Sequence, residues 1–289
     1  MKVVGFTFIK DAIKMQYPIA EAINSILPLC ITVYVAVGNG NDGTRELIAS
    51  LSSKIIIIDT EWNYTLKANG KVLAAETDKA FAAIPDDADW CIYIQGDEVL
   101  HQDGFLALQQ AMKLYKNNKN VDGLLLNYRH FFGSYKYVGI EAHWYRHEIR
   151  VIKNNKKIYS YRDAQGFRKN DNQKLRVKAV DAHIHHYGWV LSPKIMKLKH
   201  ALKNKIYHNQ AYDETNIILP TDFAEFAPKA LAEYTHTHPQ VMKNKIAEAD
   251  WDFYFDTTKN KVTFKDHFKN ITEKIFGIRL FDYRNYKKV

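Results

Sequence analysis

Along the first 130 residues, short unbroken apolar runs alternate with longer stretches in which apolar residues recur every third or fourth position. Runs of the first kind read as buried strands, and stretches of the second as amphipathic helices. The spacing predicts strands over 3–9, 30–37, 55–59 and 90–95, with helices from Tyr17-Pro18 to Leu27, over 44–51 and over 71–81. Pro18 suits a helix start, where its missing N–H would have no partner anyway. Gly38-Asn39-Gly40-Asn41-Asp42-Gly43 reads as a turn after the second strand, and Asp86-Asp87-Ala88-Asp89 as a polar connection before the fourth. Repeated strand–helix order implies a mostly parallel sheet, and such sheets bind ligands outside the carboxyl ends of their strands.

Further along, the periodicity loosens. A helix over 104–115 and a strand over 121–128 lead into an aromatic segment, 131–145, of the kind that walls a site. Apolar runs at 149–152 and 158–161 flank Asn154-Asn155-Lys156-Lys157 and read as a hairpin. Ser192-Pro193, an N-cap serine followed by proline, opens a basic helix toward His208, and Pro239 marks another start. The tail from Phe276 to Tyr286 alternates aromatics with Arg and Lys. The expected division is a main α/β domain over 1–191, split near 130, and a mainly helical region over 192–289.

Composition narrows the class. The chain of 289 residues is 46% hydrophobic and 25% charged, which suits a folded globular protein with a sizeable core. Forty-one Lys and Arg against 32 Asp and Glu leave a formal charge of +9, which favours anionic partners. Much of the excess lies in Lys-Asn runs at 113–119, 153–157 and 197–205, which read as solvated helix faces and loop tips. Cys30 and Cys91 sit inside apolar runs, so neither a disulfide framework nor a cysteine metal site is expected, and a reducing cytoplasm fits. The amino terminus lacks a signal-peptide pattern, and no apolar stretch is long enough to span a bilayer. Peripheral attachment at the inner face of a membrane, through basic and aromatic residues, stays open.

The candidate chemistry gathers at two places. The apolar run ending Ile94-Gln95-Gly96 delivers Asp97 and Glu98 to a strand end, where carboxylates must be paired, solvated or holding a cation. A Mg²⁺ or Mn²⁺ ion prefers hard oxygen donors and neutralises a leaving diphosphate, so Asp97 is the first candidate ligand and Glu98 the second. A capped, solvated turn explains the pair equally simply. His183-Ile184-His185-His186-Tyr187-Gly188-Trp189 is the densest histidine cluster; on a strand, His183 and His185 share one face and His186 takes the other. Its spacing is not that of a metalloprotease zinc site. Arg146, Arg150, Arg162 and Arg168 are candidate diphosphate contacts, and Trp144, Tyr145 and Trp189 candidate sugar-stacking rings.

Ile94-Gln95-Gly96-Asp97-Glu98 resembles the Leu-Asp-Ala-Asp-Asp/Glu signature of family-2 glycosyltransferases, with Gln95 in place of its first aspartate. Val35-Ala36-Val37-Gly38-Asn39-Gly40-Asn41-Asp42-Gly43-Thr44 is similar to that family's Val-Asp-Asp-Gly-Ser-x-Asp-Gly-Thr loop, matching at Asp42-Gly43-Thr44 but not at the early aspartates. Asp163-Ala164-Gln165-Gly166-Phe167 looks like a segment of a subset of the same class. The resemblance implies a GT-A-type three-layer α/β/α domain and an enzyme moving a sugar, with inversion, from a nucleotide-diphosphate donor to a saccharide or lipid-linked acceptor in cell-surface polysaccharide synthesis. It implies a divalent cation at Asp97 and Glu98, with a late histidine, His186 before His185, at the metal or diphosphate. Donor contacts fall on Phe8, Asn39, Asp42, Gln95 and Gly96. An inverting transfer also needs a carboxylate base, for which Asp163 is preferred over Glu148 and Glu141 because it lies in a polar turn beside Gln165-Gly166.

Three rivals remain. A nucleotidyltransferase of similar layout would carry a glycine-rich loop after its first strand, where Ile9-Lys10-Asp11-Ala12 has no glycine. A nucleic-acid binder is motivated by the charge and the aromatic-basic tail, and is the less expected partner class. A degenerate transferase is prompted by Gln95.

Overall fold

Every apolar run predicted in the first hundred residues becomes a strand in the computed structural model, which describes residues 1–66, 70–208, 217–220, 222–226, 228–276 and 284–289. Strands β1 (Val3–Ile9), β2 (Thr32–Gly38), β3 (Ile55–Thr60) and β4 (Trp90–Tyr93) pair in parallel in the order β3-β2-β1-β4. Alternation along them sorts side chains onto two faces. Val3, Val33, Val35, Trp90 and Ile92 enter one core with helices α1 (Ile19–Ile26), α2 (Thr44–Leu51) and α4 (Phe105–Tyr115). Val4, Phe6, Phe8, Cys91 and Tyr93 enter a second core with α3 (Lys71–Ala82). The result is the expected three-layer α/β/α arrangement.

Beyond β4 the sheet turns mixed. It runs on through β8 (His147–Lys153), β6 (Gly123–Phe132), β11 (Gln173–Trp189), β10 (Gly166–Lys169) and β9 (Ile158–Tyr161). The hairpin expected across 149–161 does not form. Both edges of β8 are taken, by β4 and β6, so β9 pairs instead with β10, Tyr161 opposite Gly166. The aromatic segment is more regular than its sequence suggests, because β6 continues to Phe132 and turns at Gly133 (φ 70°) into β7 (Ser134–Gly139).

The short β5 (Glu98–Leu100) pairs antiparallel with β11, His186 opposite Glu98, while β6 lies on the other side of β11 with His130 opposite His186. Among the described residues after 192 the chain forms helices α5 (Pro193–His208), α6 (Lys243–Ala247) and α7 (Phe264–Phe276). It also returns two strands to the sheet, β12 (Leu231–Glu233) on β7 and β13 (Tyr286–Lys288) on β11. Most of the aromatic-basic tail, 277–283, lies outside the described residues.

Candidate functional site

Strand order reverses at β1, whose neighbours β2 and β4 lie on opposite sides, and a cleft of about 550 Å³ opens outside the carboxyl ends of these strands. Phe8 to Asp11 follow β1 into it, Trp62 and Tyr64 follow β3, and Gln95, Gly96 and Asp97 follow β4. The far wall is α5, which presents Lys199, Leu202, Lys203, Ile206 and Tyr207. These positions repeat at helical spacing and form one stripe.

Asp97 sits where three elements meet. β5 holds the backbone against the end of β11, with the Tyr187 N–H donating to the Asp97 carbonyl at 2.8 Å. The Asp97 Oδ2 lies 3.1 Å from Lys199 Nζ and 3.5 Å from His186 Nε2. Lys199 also donates to the Gly188 carbonyl at 2.7 Å, and its ammonium packs over the rings of Tyr17 (4.8 Å) and Trp189 (5.1 Å). Burial alone would raise the Asp97 carboxyl, but Lys199 and His186 outweigh it and hold the group well below the usual carboxylate range. Burial works against the Lys199 ammonium too, and Tyr17 and Asp97 together keep its pKa raised. His130 is held neutral by burial and its Nε2 faces the Tyr145 carbonyl at 3.2 Å, which makes Nε2 the donor. His130 Nδ1 therefore accepts from His186 Nδ1, 3.2 Å away, and His186 is oriented with Nε2 toward Asp97.

Glu98 does not join Asp97 in the cleft. It is fully buried, bound by Arg150 through Nε at 2.7 Å and Nη2 at 2.6 Å, and accepts from the Tyr128 hydroxyl and the Gln95 N–H. Arg150 lies between the Tyr93 and Tyr128 rings and reaches the Gln165 carbonyl at 3.4 Å. The ion pair thus ties the 95–98 loop to the β9–β10 turn. That turn holds Arg162 (φ 57°) and Ala164 (φ 62°) in the left-handed region, where non-glycine residues are strained. Gln95 lines the cleft while its Nε2 donates to the Ala164 carbonyl at 2.9 Å, closing the same link from the other side.

Of the three carboxylates proposed for proton transfer, Asp163 lines the cleft and accepts from the Tyr207 hydroxyl at 2.7 Å, whereas Glu141 is off the cleft lining and accepts from the Lys229 and Ala230 N–H groups. Glu148 is off the cleft lining; burial pushes its carboxyl up to about 8, which favours the protonated form at neutral pH. Phe8 and Gly96 are in the cleft, whereas Asp42 caps a turn, accepting from the Lys14 and Thr44 N–H groups, and exposed Asn39 accepts from Lys10. His185 faces away from Asp97 into a cluster with Phe131, Tyr187, Tyr234 and His238. Trp144, Tyr145 and Trp189 line the cleft as expected; the four arginines do not. Arg146 instead binds the Gly139 carbonyl beside a separate cavity of about 380 Å³, and Arg168 binds the Asn285 carbonyl. Among the described residues the lysines lining the cleft are Lys10, Lys199 and Lys203, two of them on a helix read from sequence as a solvated face. Their period with Leu202, Ile206 and Tyr207 was the available signal.

The side-chain donors present are few for a divalent cation. Of the four expected ligands, Glu98 is consumed by Arg150 and His185 faces away, which leaves Asp97 and His186, and among the described residues no group of three His, Cys, Asp or Glu side chains is placed to hold a metal. One oxygen of Asp97, Oδ2, already carries the Lys199 ammonium. Lys199 is seated by a carbonyl and two aromatic faces rather than resting loosely over the carboxylate.

No protein-family model matches the sequence, and no curated protein matches it. Among solved structures the chain is similar to TarS of S. aureus, at 13% identity over 74% of this chain and 41% of that one, with a TM-score of 0.40. It is similar to TarS 1-349 in complex with UDP-GlcNAc at 15% identity over 74% and 69% of the two chains, with a TM-score of 0.41. It is also similar to glucosyl-3-phosphoglycerate synthase from Mycobacterium tuberculosis in complex with Mn²⁺, UDP and glucosyl-3-phosphoglycerate, at 15% identity over 46% and 45%, with a TM-score of 0.31. The chain spans 41% of the length of the first of these.

Proposed function

We propose that the protein is a GT-A-type glycosyltransferase that moves a sugar, with inversion, from a nucleoside diphosphate donor to a saccharide or lipid-linked acceptor. The observation that carries this reading is the cleft at the reversal of strand order, with an aromatic half at Phe8, Trp62 and Tyr64 and a charged half at Asp97, His186 and Lys199. Its volume falls within the range of small-molecule sites. The aromatic half suits a nucleoside and the charged half a diphosphate. Trp144, Tyr145 and Trp189 leave the sugar an apolar wall.

In this reading Asp163 is the base. As the acceptor oxygen bonds to the anomeric carbon, the bond from that carbon to the diphosphate oxygen breaks, its electron pair leaves with the diphosphate, and the acceptor proton passes to Asp163. Attack opposite the leaving group inverts the anomeric centre. Synthesis of a cell-surface polysaccharide is the setting we infer from the sequence resemblance.

A thermal-shift panel of UDP-, GDP-, CDP- and dTDP-sugars, followed by assay of nucleoside diphosphate release, tests the reading. One donor class should raise Tm and be turned over. Asp163→Asn should keep donor binding while turnover falls by about 10² to 10⁴. Silence from every donor, in binding and in release, would sink the reading.

A further inference from the structure

We propose that the Lys199 ammonium takes the place of a divalent cation at the donor diphosphate, so that the protein binds and uses its donor without a metal ion. The inference rests on the glycosyltransferase reading and settles what neutralises its leaving group. In that reading the diphosphate lies against Asp97, at the end of β4, where a cation is needed as negative charge builds on the departing oxygen.

The structure puts a fixed ammonium there. Lys199 Nζ lies 3.1 Å from Asp97 Oδ2 and 2.7 Å from the Gly188 carbonyl oxygen, with Tyr17 and Trp189 packed on its flanks. Its side chain is 15% exposed, and it lines the cleft. Gly188 makes this approach possible, since a Cβ on that residue would lie 2.6 Å from His186 Nε2 and 2.8 Å from Lys199 Nζ. Asp97 then serves to position a lysine rather than a metal. One turn along α5, exposed Lys203 lies 5.6 Å from the centre of the Trp189 ring and supplies a second positive charge to the cleft. Glu98, the other carboxylate a cation would recruit, is committed to Arg150 on the far side of the loop.

Calorimetric titration of the full chain with UDP, GDP, CDP and ADP, each in EDTA and in Mn²⁺, tests the proposal. One nucleoside diphosphate should bind with the same affinity, within about twofold, in both conditions. Lys199→Met, with a circular dichroism spectrum and Tm matching the parent, should weaken binding in EDTA by about tenfold to a hundredfold, the loss of a charge-assisted hydrogen bond. Binding by the parent in Mn²⁺ but not in EDTA would overturn the metal-free proposal and leave the glycosyltransferase reading standing. Unchanged affinity of folded Lys199→Met in EDTA would also overturn it. Absence of binding in both conditions would overturn both.

Discussion

At the scale of single residues, neighbouring carboxylates have opposite fates. Asp97 and Glu98 are adjacent in sequence, yet one faces the cleft and the other is sealed in the core against Arg150. The strand that begins at Glu98 explains the split: successive side chains point to opposite sides, and the side taken by Glu98 holds a buried guanidinium between two tyrosine rings. Removing one partner of such a pair leaves a buried charge uncompensated. Glu98→Gln should therefore destabilise the protein by about 3 kcal/mol or more, read as a lower Tm and denaturation midpoint. Equal stability of this variant and the parent would show the pair to be dispensable. Sequence spacing could pick out the carboxylate pair but not divide it, because Arg150 is 52 positions from Glu98.

At the scale of elements, the site is made by how β11 and α5 end against the 95–98 loop. β11 shifts register between Val180 and His183 and again between His186 and Trp189, and such irregularities re-aim side chains. His186 is thereby set toward Asp97 and His185 into the opposite cluster, as alternation along a strand predicts. Gly188 is the contact point of the three elements. Gly188→Ala should push apart Asp97, His186 and Lys199 and weaken nucleoside diphosphate binding by about tenfold, a cost in the range for overpacking, while far-ultraviolet circular dichroism stays unchanged. Undiminished affinity would mean that the cluster tolerates a methyl group and is looser than its packing implies. The β9–β10 turn shows the limit of local reading: the polar run 154–157 looks like a hairpin turn, but pairing depends on which strand edges are free, and both edges of β8 are occupied.

At the scale of the whole molecule, buried titratable groups set opposing pH limits. Burial lowers His238 from 6.5 to about 4 and holds His185 and His130 well below their ordinary value, so all three fold in the neutral form. The unfolded chain binds more protons below 6.5, and stability should fall as pH drops from there toward 4. Glu148 works the other way. Burial raises its pKa from 4.5 to about 8, so its contribution is full below 4.5 and is lost as pH rises through 8. Tm measured between these limits should fall on both sides, and Glu148→Gln should flatten the alkaline limb and, because its window reaches down to 4.5, steepen the acid one; an alkaline slope unchanged in that variant would assign it elsewhere. Across the described residues no helix is long and apolar enough to cross a membrane. By itself the sequence determined the strand and helix order of the first half, the two-faced core, the turn that carries Asp97 and the facing of the histidines, because these follow from periods of two and 3.6 residues within short segments. Tertiary structure alone decided the rest: that Glu98 belongs to Arg150, that β8 fills the gap between β4 and β6, that β12 and β13 return to the sheet, and that Lys199 reaches Asp97 across 102 positions. Such partners are chosen by free edges, burial and charge that exist once distant segments have met, and local periodicity carries no record of them.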